Sequence, residues 1–324
     1  MPTDLLKDGF GRDFSYLRIS VTDRCNLRCN YCMPQSGIQL ADPHEILSYE
    51  EIIRILQVMV SLGTTKVRIT GGEPLIRRNI LKLIADIAAI KEITDLSLTT
   101  NATMLADFAG SLKKNGLGRV NISLDSLKEE RFFKLTGGGS LHKVRQGIEA
   151  AIKAGLTPIK INVVVMKGVN DDELGDFLEM ADELSLEVRF IEYMPIIKSD
   201  RALNRFIASQ KIFEKVKAHY RLLPLLSGRE SGCARRYEIA GRRGKAGFIS
   251  PISQPFCGSC NRMRLTANGF LRACLYSEDE LNVKEALRSD SGDLPALIKE
   301  YVLKKKVQKP QVHEFKREMW GIGG

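Results

Sequence analysis

Apolar residues recur along the first two hundred positions in two alternating rhythms. Short runs of period two come at Tyr16–Val21, Lys66–Thr70, Asp95–Thr99, Arg119–Leu124, Pro158–Val165 and Glu187–Ile191, and each reads as a strand. Between them lie stretches of helical period. The clearest is Tyr49–Leu62 (YEEIIRILQVMVSL), with Ser48 placed to cap it; the others are Asn79–Ile90, Met104–Lys114, Leu141–Ala154 and Asp172–Leu184. Gly63, Gly116 and Gly155 stand where a helix end calls for a left-handed residue. Six strand–helix repeats predict a parallel α/β architecture, either a barrel or a doubly wound sheet.

The polar half of the alternation narrows that choice. Leu17, Ile19 and Val21 alternate with Tyr16, Arg18 and Ser20; Val67 and Ile69 with Lys66, Arg68 and Thr70; Leu96 and Leu98 with Ser97 and Thr99. Asn121, Ser123, Lys160, Asn162 and Arg189 occupy the matching positions of the remaining strands. Parallel sheets covered on both faces are apolar throughout, and a closed eight-stranded barrel fills its interior with Val, Ile and Leu. Six strands with one polar face predict an α/β fold of a different kind, a partial (β/α)6 TIM-type barrel with an open lumen. Arg18, Arg68, Lys160 and Arg189 would point into that lumen from four strands. Burying cations costs several kcal/mol each unless they are compensated. Asp125 or Glu73 could pair with some, and an anionic ligand such as a triphosphate would satisfy the surplus.

The repeat ends near residue 195, so residues 1–195 read as the barrel and 196–324 as a smaller α+β region. There a helix is expected near Asn204–His219, then a loop-rich stretch Leu222–Gly232. Strands follow at Arg236–Ile239, Ala246–Ser250, Met263–Thr266 and Phe270–Ala273, and helices near Val283–Ser289 and Pro295–Val307. Ala267-Asn268-Gly269 signals a hairpin.

Lysine and arginine number 49 against 39 acidic residues, a net charge of +10, which suits nucleotides, nucleic acid or membrane surfaces. The N-terminus has no apolar signal-type core and no run reaches the ~18 apolar residues of a membrane helix, so a cytoplasmic setting without membrane partners is expected. In a reducing compartment the seven cysteines argue for metal rather than disulfides. Cys25-x3-Cys29-x2-Cys32 directly follows the first strand, where this fold class places its chemistry. Three thiolates are one short of a closed zinc or iron–sulfur set, which leaves a position for a small molecule. Cys257-x2-Cys260-x13-Cys274 offers a second trio. By spacing alone it fits zinc, completed by His219, His313 or Cys233, as well as it fits iron–sulfur.

The string YLRISVTDRCNLRCNYCMP, with Gly71-Gly72-Glu73-Pro74 after the second strand and FCGSCNRMRLTANGFLRACLY near the end, resembles the radical SAM superfamily and within it the GTP 3′,8-cyclase (MoaA) family of molybdenum cofactor biosynthesis. The resemblance runs from about Phe14 to Gly324. It implies one [4Fe–4S] cluster on Cys25, Cys29 and Cys32 that binds S-adenosylmethionine (SAM), and a second on Cys257, Cys260 and Cys274 that meets the guanine base. It implies SAM contacts from Tyr31, Gly72, Ser123 and Met194, and GTP contacts from Arg18, Arg68, Thr99, Lys160, Arg262, Met263 and Arg264. Arg189 and the terminal Gly323 and Gly324 are implied in catalysis. The implied reaction cleaves SAM to methionine and a 5′-deoxyadenosyl radical, which takes hydrogen from C3′ of GTP so that C3′ bonds to C8. Implied partners are a flavodoxin- or ferredoxin-like electron donor, a downstream cyclic pyranopterin monophosphate synthase and a homodimer mate, with no nucleic acid. Two departures stand out. Ala102 occupies the family's usual glycine, so a left-handed backbone would be strained there. Gly232-Cys233-Ala234 replaces the usual Gly-Pro-Ala. A peptide-modifying radical SAM enzyme and a zinc-stabilised nucleic-acid-binding module are the rival readings.

Overall fold

The six period-two runs form six parallel strands: β1 (Tyr16–Ser20), β2 (Lys66–Thr70), β3 (Asp95–Thr100), β4 (Arg119–Ser123), β5 (Lys160–Val165) and β6 (Glu187–Glu192). The computed structural model describes residues 5–33, 37, 39–195, 204–226, 232–289 and 293–305. Helices α1 (Tyr49–Ser61), α2 (Ile80–Ala88), α3 (Leu105–Lys114), α4 (Glu129–Thr136), α5 (Leu141–Lys153) and α6 (Leu174–Glu183) link the strands. Leu17, Ile19, Val67, Ile69, Leu98, Val120, Ile122, Ile161, Val163, Val188 and Phe190 are buried against the helix faces in one continuous core. Burial of each such side chain contributes about 1.5–3 kcal/mol against leaving it exposed. At α1 the expected cap is reciprocal: Ser48 Oγ accepts from Glu51 N at 3.1 Å, and Glu51 Oε2 accepts from Ser48 N at 2.8 Å.

After β6 come α7 (Ser209–Lys217), β7 (Leu222–Pro224), β8 (Arg235–Ile239), β9 (Lys245–Ile249), β10 (Arg262–Leu265), β11 (Phe270–Arg272), β12 (Leu281–Asn282), α8 (Val283–Arg288) and α9 (Leu294–Leu303). Two of these strands extend the barrel, because β10 pairs parallel with β1 and β9 parallel with β6. The sheet order is β12-β11-β10-β1-β2-β3-β4-β5-β6-β9-β8-β7. This is the partial TIM-type barrel expected, with eight parallel strands in its middle and antiparallel flaps at each end. Met263, Leu265, Val283, Ile298 and Val302 join the same core.

Three local differences from the sequence reading have physical causes. α7 starts at Ser209, later than expected, where the buried Glu192 carboxylate accepts from Ser209 N at 2.6 Å and so caps the first turn. α4 went unpredicted because its eight residues make barely two turns and leave Phe133 exposed beside buried Phe132. β7, inside the stretch read as loop, exists through its antiparallel pairing with β8. Ala102 does take a left-handed backbone (φ 62°) while fully buried. Glycine at 147 lets α5 lie against it, since a Cβ there would come within 2.5 Å of the Ala102 carbonyl. Among the described residues no helix is long and apolar enough to cross a membrane.

Candidate active site

The first cysteine loop is fixed on both sides before any ligand is considered. Gly72 N donates to Thr22 O at 2.7 Å and Glu73 N to Arg24 O at 2.8 Å, which zips the Gly-Gly segment to the loop that runs from β1 into Cys25. On the other side Arg28 N donates to Thr136 O (2.8 Å) and Asn30 N to Leu135 O (3.0 Å), at the end of α4. Cys32 N and Met33 N both donate to Cys29 O, making one tight turn. The backbone approach at Gly72 is closer than any side chain permits: a Cβ would lie 2.1 Å from Arg24 O and 3.0 Å from Cys25 N. Gly72→Ala is therefore expected to lower the melting temperature by a few degrees, at a cost of about 1–3 kcal/mol for overpacking. It should also reduce iron retained per chain, read by calorimetry and by iron assay.

Burial raises the Cys29 thiol well above its ordinary pKa, helped by Asp125 and by neighbouring Cys32 and Cys25. The three sulfurs thus sit near enough to feel one another's charge, and a polycationic iron core relieves that repulsion. Two carboxylates lie close by, and each is already engaged. Glu73, raised to about 7 by burial, accepts from Thr100 Oγ1 (2.8 Å), Asn101 N (2.7 Å) and Leu75 N (3.1 Å). Asp125, raised to about 6 by burial, accepts from Tyr31 Oη and from Val164 N at 2.8 Å. Neither is left as a fourth ligand, so the donor set suits a four-iron cluster with one open corner.

The second trio is assembled by the hairpin. Cys257 and Cys260 flank a 3-10 turn, with Cys260 N donating to Cys257 O at 3.3 Å. β10 and β11 pair Arg264 with Arg272 and Leu265 with Leu271. β10 begins two residues after Cys260 and β11 ends two residues before Cys274, so the turn at Gly269 (φ 86°) returns both ends of the thirteen-residue spacer to one end of the hairpin. Burial raises the Cys257 thiol, and Cys274 and Cys260 add to the rise. Cys233 stands apart: burial raises its thiol, but Arg262 in contact with it, with Arg189 and Arg68, brings the net shift below the ordinary value. Among the described residues no three Cys, His, Asp or Glu side chains converge on a single-ion position. A zinc draws its sulfurs to ~2.3 Å of one point, whereas a four-iron cluster takes each thiolate at a separate corner.

Register places the two trios at opposite rims of the lumen. β10 enters level with Tyr16, so Cys260 precedes the start of β1, while Cys25 follows its end. At 3.3 Å per residue the rims lie roughly 15–20 Å apart, room for one nucleotide. The wall between them is cationic. Arg264, Arg18, Arg68 and Ser97 stand side by side across β10, β1, β2 and β3, and Arg119 follows on β4. Lys160 pairs in register with Asn121 and Glu187. Burial lowers Arg18 to about 9, with Arg264 the next cause, and lowers Arg68 to about 9. Burial likewise lowers Arg264 to about 10 and Lys160 to about 7, the neighbouring arginines adding to both. Buried Arg18 Nε, Arg189 Nη2, Thr99 Oγ1 and Tyr16 Oη find no hydrogen-bond partner among the described residues.

Asp125 and Glu73 do not serve as counter-ions here, since both are spent on loops. The compensation comes from Glu187, which holds Arg189 at 2.6 Å and Arg236 at 2.9 Å, and from Asp95, which holds Arg119 at 2.7 Å and Lys66 at 3.1 Å. The sequence reading passed over Tyr16, Arg119 and Glu187. Glu187 was visible two residues from Arg189 on the same strand face. Ser123 ends β4 on the polar face, and Met194 follows β6 with its sulfur 3.8 Å from Tyr276 Oη. Met263 is different from its neighbours Arg262 and Arg264: its side chain is fully buried in the apolar core, so only its backbone faces the lumen side. Gly323 and Gly324 lie outside the described residues.

Residues 19–181 match the radical SAM superfamily, and residues 186–314 match the family described as Molybdenum Cofactor Synthesis C. The GTP 3′,8-cyclase of Listeria monocytogenes serovar 1/2a is 47% identical over 96% of this chain and 92% of its own length. That of Syntrophomonas wolfei is 46% identical over 98% and 99%. Among solved structures, Streptococcus suis SuiB bound to S-adenosylmethionine shares the fold, with a TM-score of 0.57 and 17% identity over 91% of this chain and 68% of its own. With relatives this similar across nearly its whole length, the chain belongs to the GTP 3′,8-cyclase family of the radical SAM superfamily.

Proposed function

We propose that this protein converts GTP to (8S)-3′,8-cyclo-7,8-dihydroguanosine 5′-triphosphate, consuming SAM, as an early step of molybdenum cofactor biosynthesis. The observation that carries the reading is a lumen with surplus buried cations, bounded at each rim by three cysteines. Loaded on Cys25, Cys29 and Cys32, a [4Fe–4S] cluster supplies the electron that cleaves SAM to methionine and a 5′-deoxyadenosyl radical. The chain's own part is to bind, orient and exclude water.

Gly72 packs its backbone closely against the Cys25 loop at the place assigned to the methionine end of SAM, with Tyr31, Ser123 and Met194 around the rest. Arg18, Arg68, Lys160 and Arg264 fit the triphosphate through charge-assisted bonds. Thr99 offers an unpartnered hydroxyl, and the Met263 backbone lies in the same strand as Arg262 and Arg264. The trio Cys257, Cys260 and Cys274 at the opposite rim suits a second cluster facing the guanine. Arg189, braced by Glu187, and the terminal Gly323 and Gly324 are the residues assigned to the reacting centre. In this division residues 1–195 provide the SAM chemistry and 196–324 the substrate cluster. The setting is cytoplasmic, with a flavodoxin- or ferredoxin-like donor, a downstream cyclic pyranopterin monophosphate synthase, and a homodimer as the assembly.

Anaerobic reconstitution with iron and sulfide, then incubation with SAM, dithionite and GTP, tests this. Expected products are 5′-deoxyadenosine and a nucleotide of unchanged mass with a new C3′–C8 bond, seen by mass spectrometry and NMR. SAM cleavage that ignores GTP, with no micromolar GTP binding, would overturn the reading in favour of a peptide-modifying enzyme.

A further inference from the structure

The short hairpin before β1 makes contacts that the cyclisation chemistry leaves unexplained. Leu6 N donates to Leu62 O at 3.0 Å and Phe14 N to Leu6 O at 2.9 Å, so the segment is closed on itself and pinned to the end of α1. At its tip Asp8 and Arg12 are 4% and 9% exposed. Asp8 Oδ1 accepts from Phe10 N and Arg12 N, each at 3.0 Å, and Oδ2 accepts from Arg12 Nε at 2.7 Å. The guanidinium so held lies near Phe10 (5.5 Å) and Phe14 (5.9 Å) and donates through Nη1 to the carbonyl of Cys257. Lys305, just past α9, sits 4.3 Å from the Phe14 ring. A buried ion pair thus reaches 245 residues along the chain to grip one residue, and that residue belongs to the second trio.

We propose that Asp8 and Arg12 are positioning residues for the second cysteine trio, and that Arg12 and Lys305 form a cationic collar raising the reduction potential of the cluster held there. The inference rests on the reading that Cys257, Cys260 and Cys274 hold a cluster. Reduction makes a cluster more negative, and fixed cations in a low-dielectric surrounding favour that state. Arg12 is bifunctional, with one edge on Asp8 and another on the Cys257 carbonyl. Lysine keeps the charge but cannot span both.

The test uses the full chain with Cys25, Cys29 and Cys32 changed to alanine, reconstituted so that only the second site is loaded, and followed by iron assay and EPR-monitored redox titration. Arg12→Gln is expected to lower the reduced fraction about tenfold at fixed potential, equivalent to about 59 mV for one electron. Lys305→Gln, which touches no cysteine backbone, should shift it in the same direction by about threefold. Arg12→Lys should hold the potential within twofold, Asp8→Asn, which removes a negative charge beside Arg12, should raise the reduced fraction, and both should lose iron to a chelator about tenfold faster. Unchanged potentials in both glutamine variants would overturn the collar, and unchanged iron loss in the other two would overturn the positioning role. A parent protein holding no cluster at this site would instead overturn the cluster assignment itself, along with what is built on it.

Discussion

Alanine at any one of Cys25, Cys29 or Cys32 is expected to abolish SAM cleavage, with 5′-deoxyadenosine formation falling at least about a thousandfold, beyond what one lost transition-state contact costs. The reason lies in how little the site has to spare. The cysteine loop is held against Gly72, and the nearby carboxylates Glu73 and Asp125 are bound to Thr100, Asn101 and Leu75 or to Tyr31 and Val164. Neither of these two carboxylates stands ready to replace a lost sulfur. Iron should drop from about eight to about four per chain, since two four-iron clusters become one. Alanine at Cys257, Cys260 or Cys274 should produce the same iron loss with a different signature. SAM cleavage persists without product, because the SAM rim is intact, while GTP binding weakens. Far-ultraviolet circular dichroism should stay unchanged in all six variants, as none of these thiols belongs to the apolar core. A Cys29 variant that still forms 5′-deoxyadenosine at the parent rate would sink the assignment of the first trio.

The barrel was legible because each of its strands carries its own alternation. Ile19, Ile69, Leu98, Ile122, Ile161 and Phe190 each announce a buried face within five or six residues, and all six are fully buried in one core. What stayed hidden depends on partners distant in sequence. The pattern at Met263 and Leu265 reads as a strand, yet nothing local says that it pairs parallel with β1 and carries Arg264 beside Arg18. The same holds for β9 beside β6. The cysteine trios were legible from spacing, but the counter-ions were not. Asp125 and Glu73 looked available until the fold assigned them to the loops, and Glu187 became the partner of Arg189 through side-by-side placement on one strand face. Met263 shows the limit of carrying a motif over whole, since alternate residues of a strand face opposite sides.

Lys160→Met is expected to make the protein more stable and a poorer enzyme, and the two effects share one cause. Burial and the positive charge of Arg189 and Arg119 hold the Lys160 ammonium at a pKa of about 7, against 10.5 in an open chain. Between about pH 7 and 10.5 the unfolded chain therefore binds more protons at this residue than the folded one. Stability contributed by the group rises with pH across that window, and below it the full penalty applies. Methionine removes the penalty, so the melting temperature should rise by a few degrees at pH 7, with the gain shrinking toward pH 10. GTP binding pulls the other way. A polyanion in the lumen favours the charged lysine, so binding should take up protons, and affinity should weaken as pH climbs from 7 to 9. Removing the cation should cost about 2–5 kcal/mol of GTP binding, and Lys160→Arg should retain most affinity with a flatter pH dependence. Titration calorimetry in buffers of different ionisation enthalpy reads the proton uptake directly. If Lys160→Met neither gained stability at pH 7 nor lost affinity for GTP, the lumen cations would have to be compensated by the protein itself, and the triphosphate would have no reason to sit there.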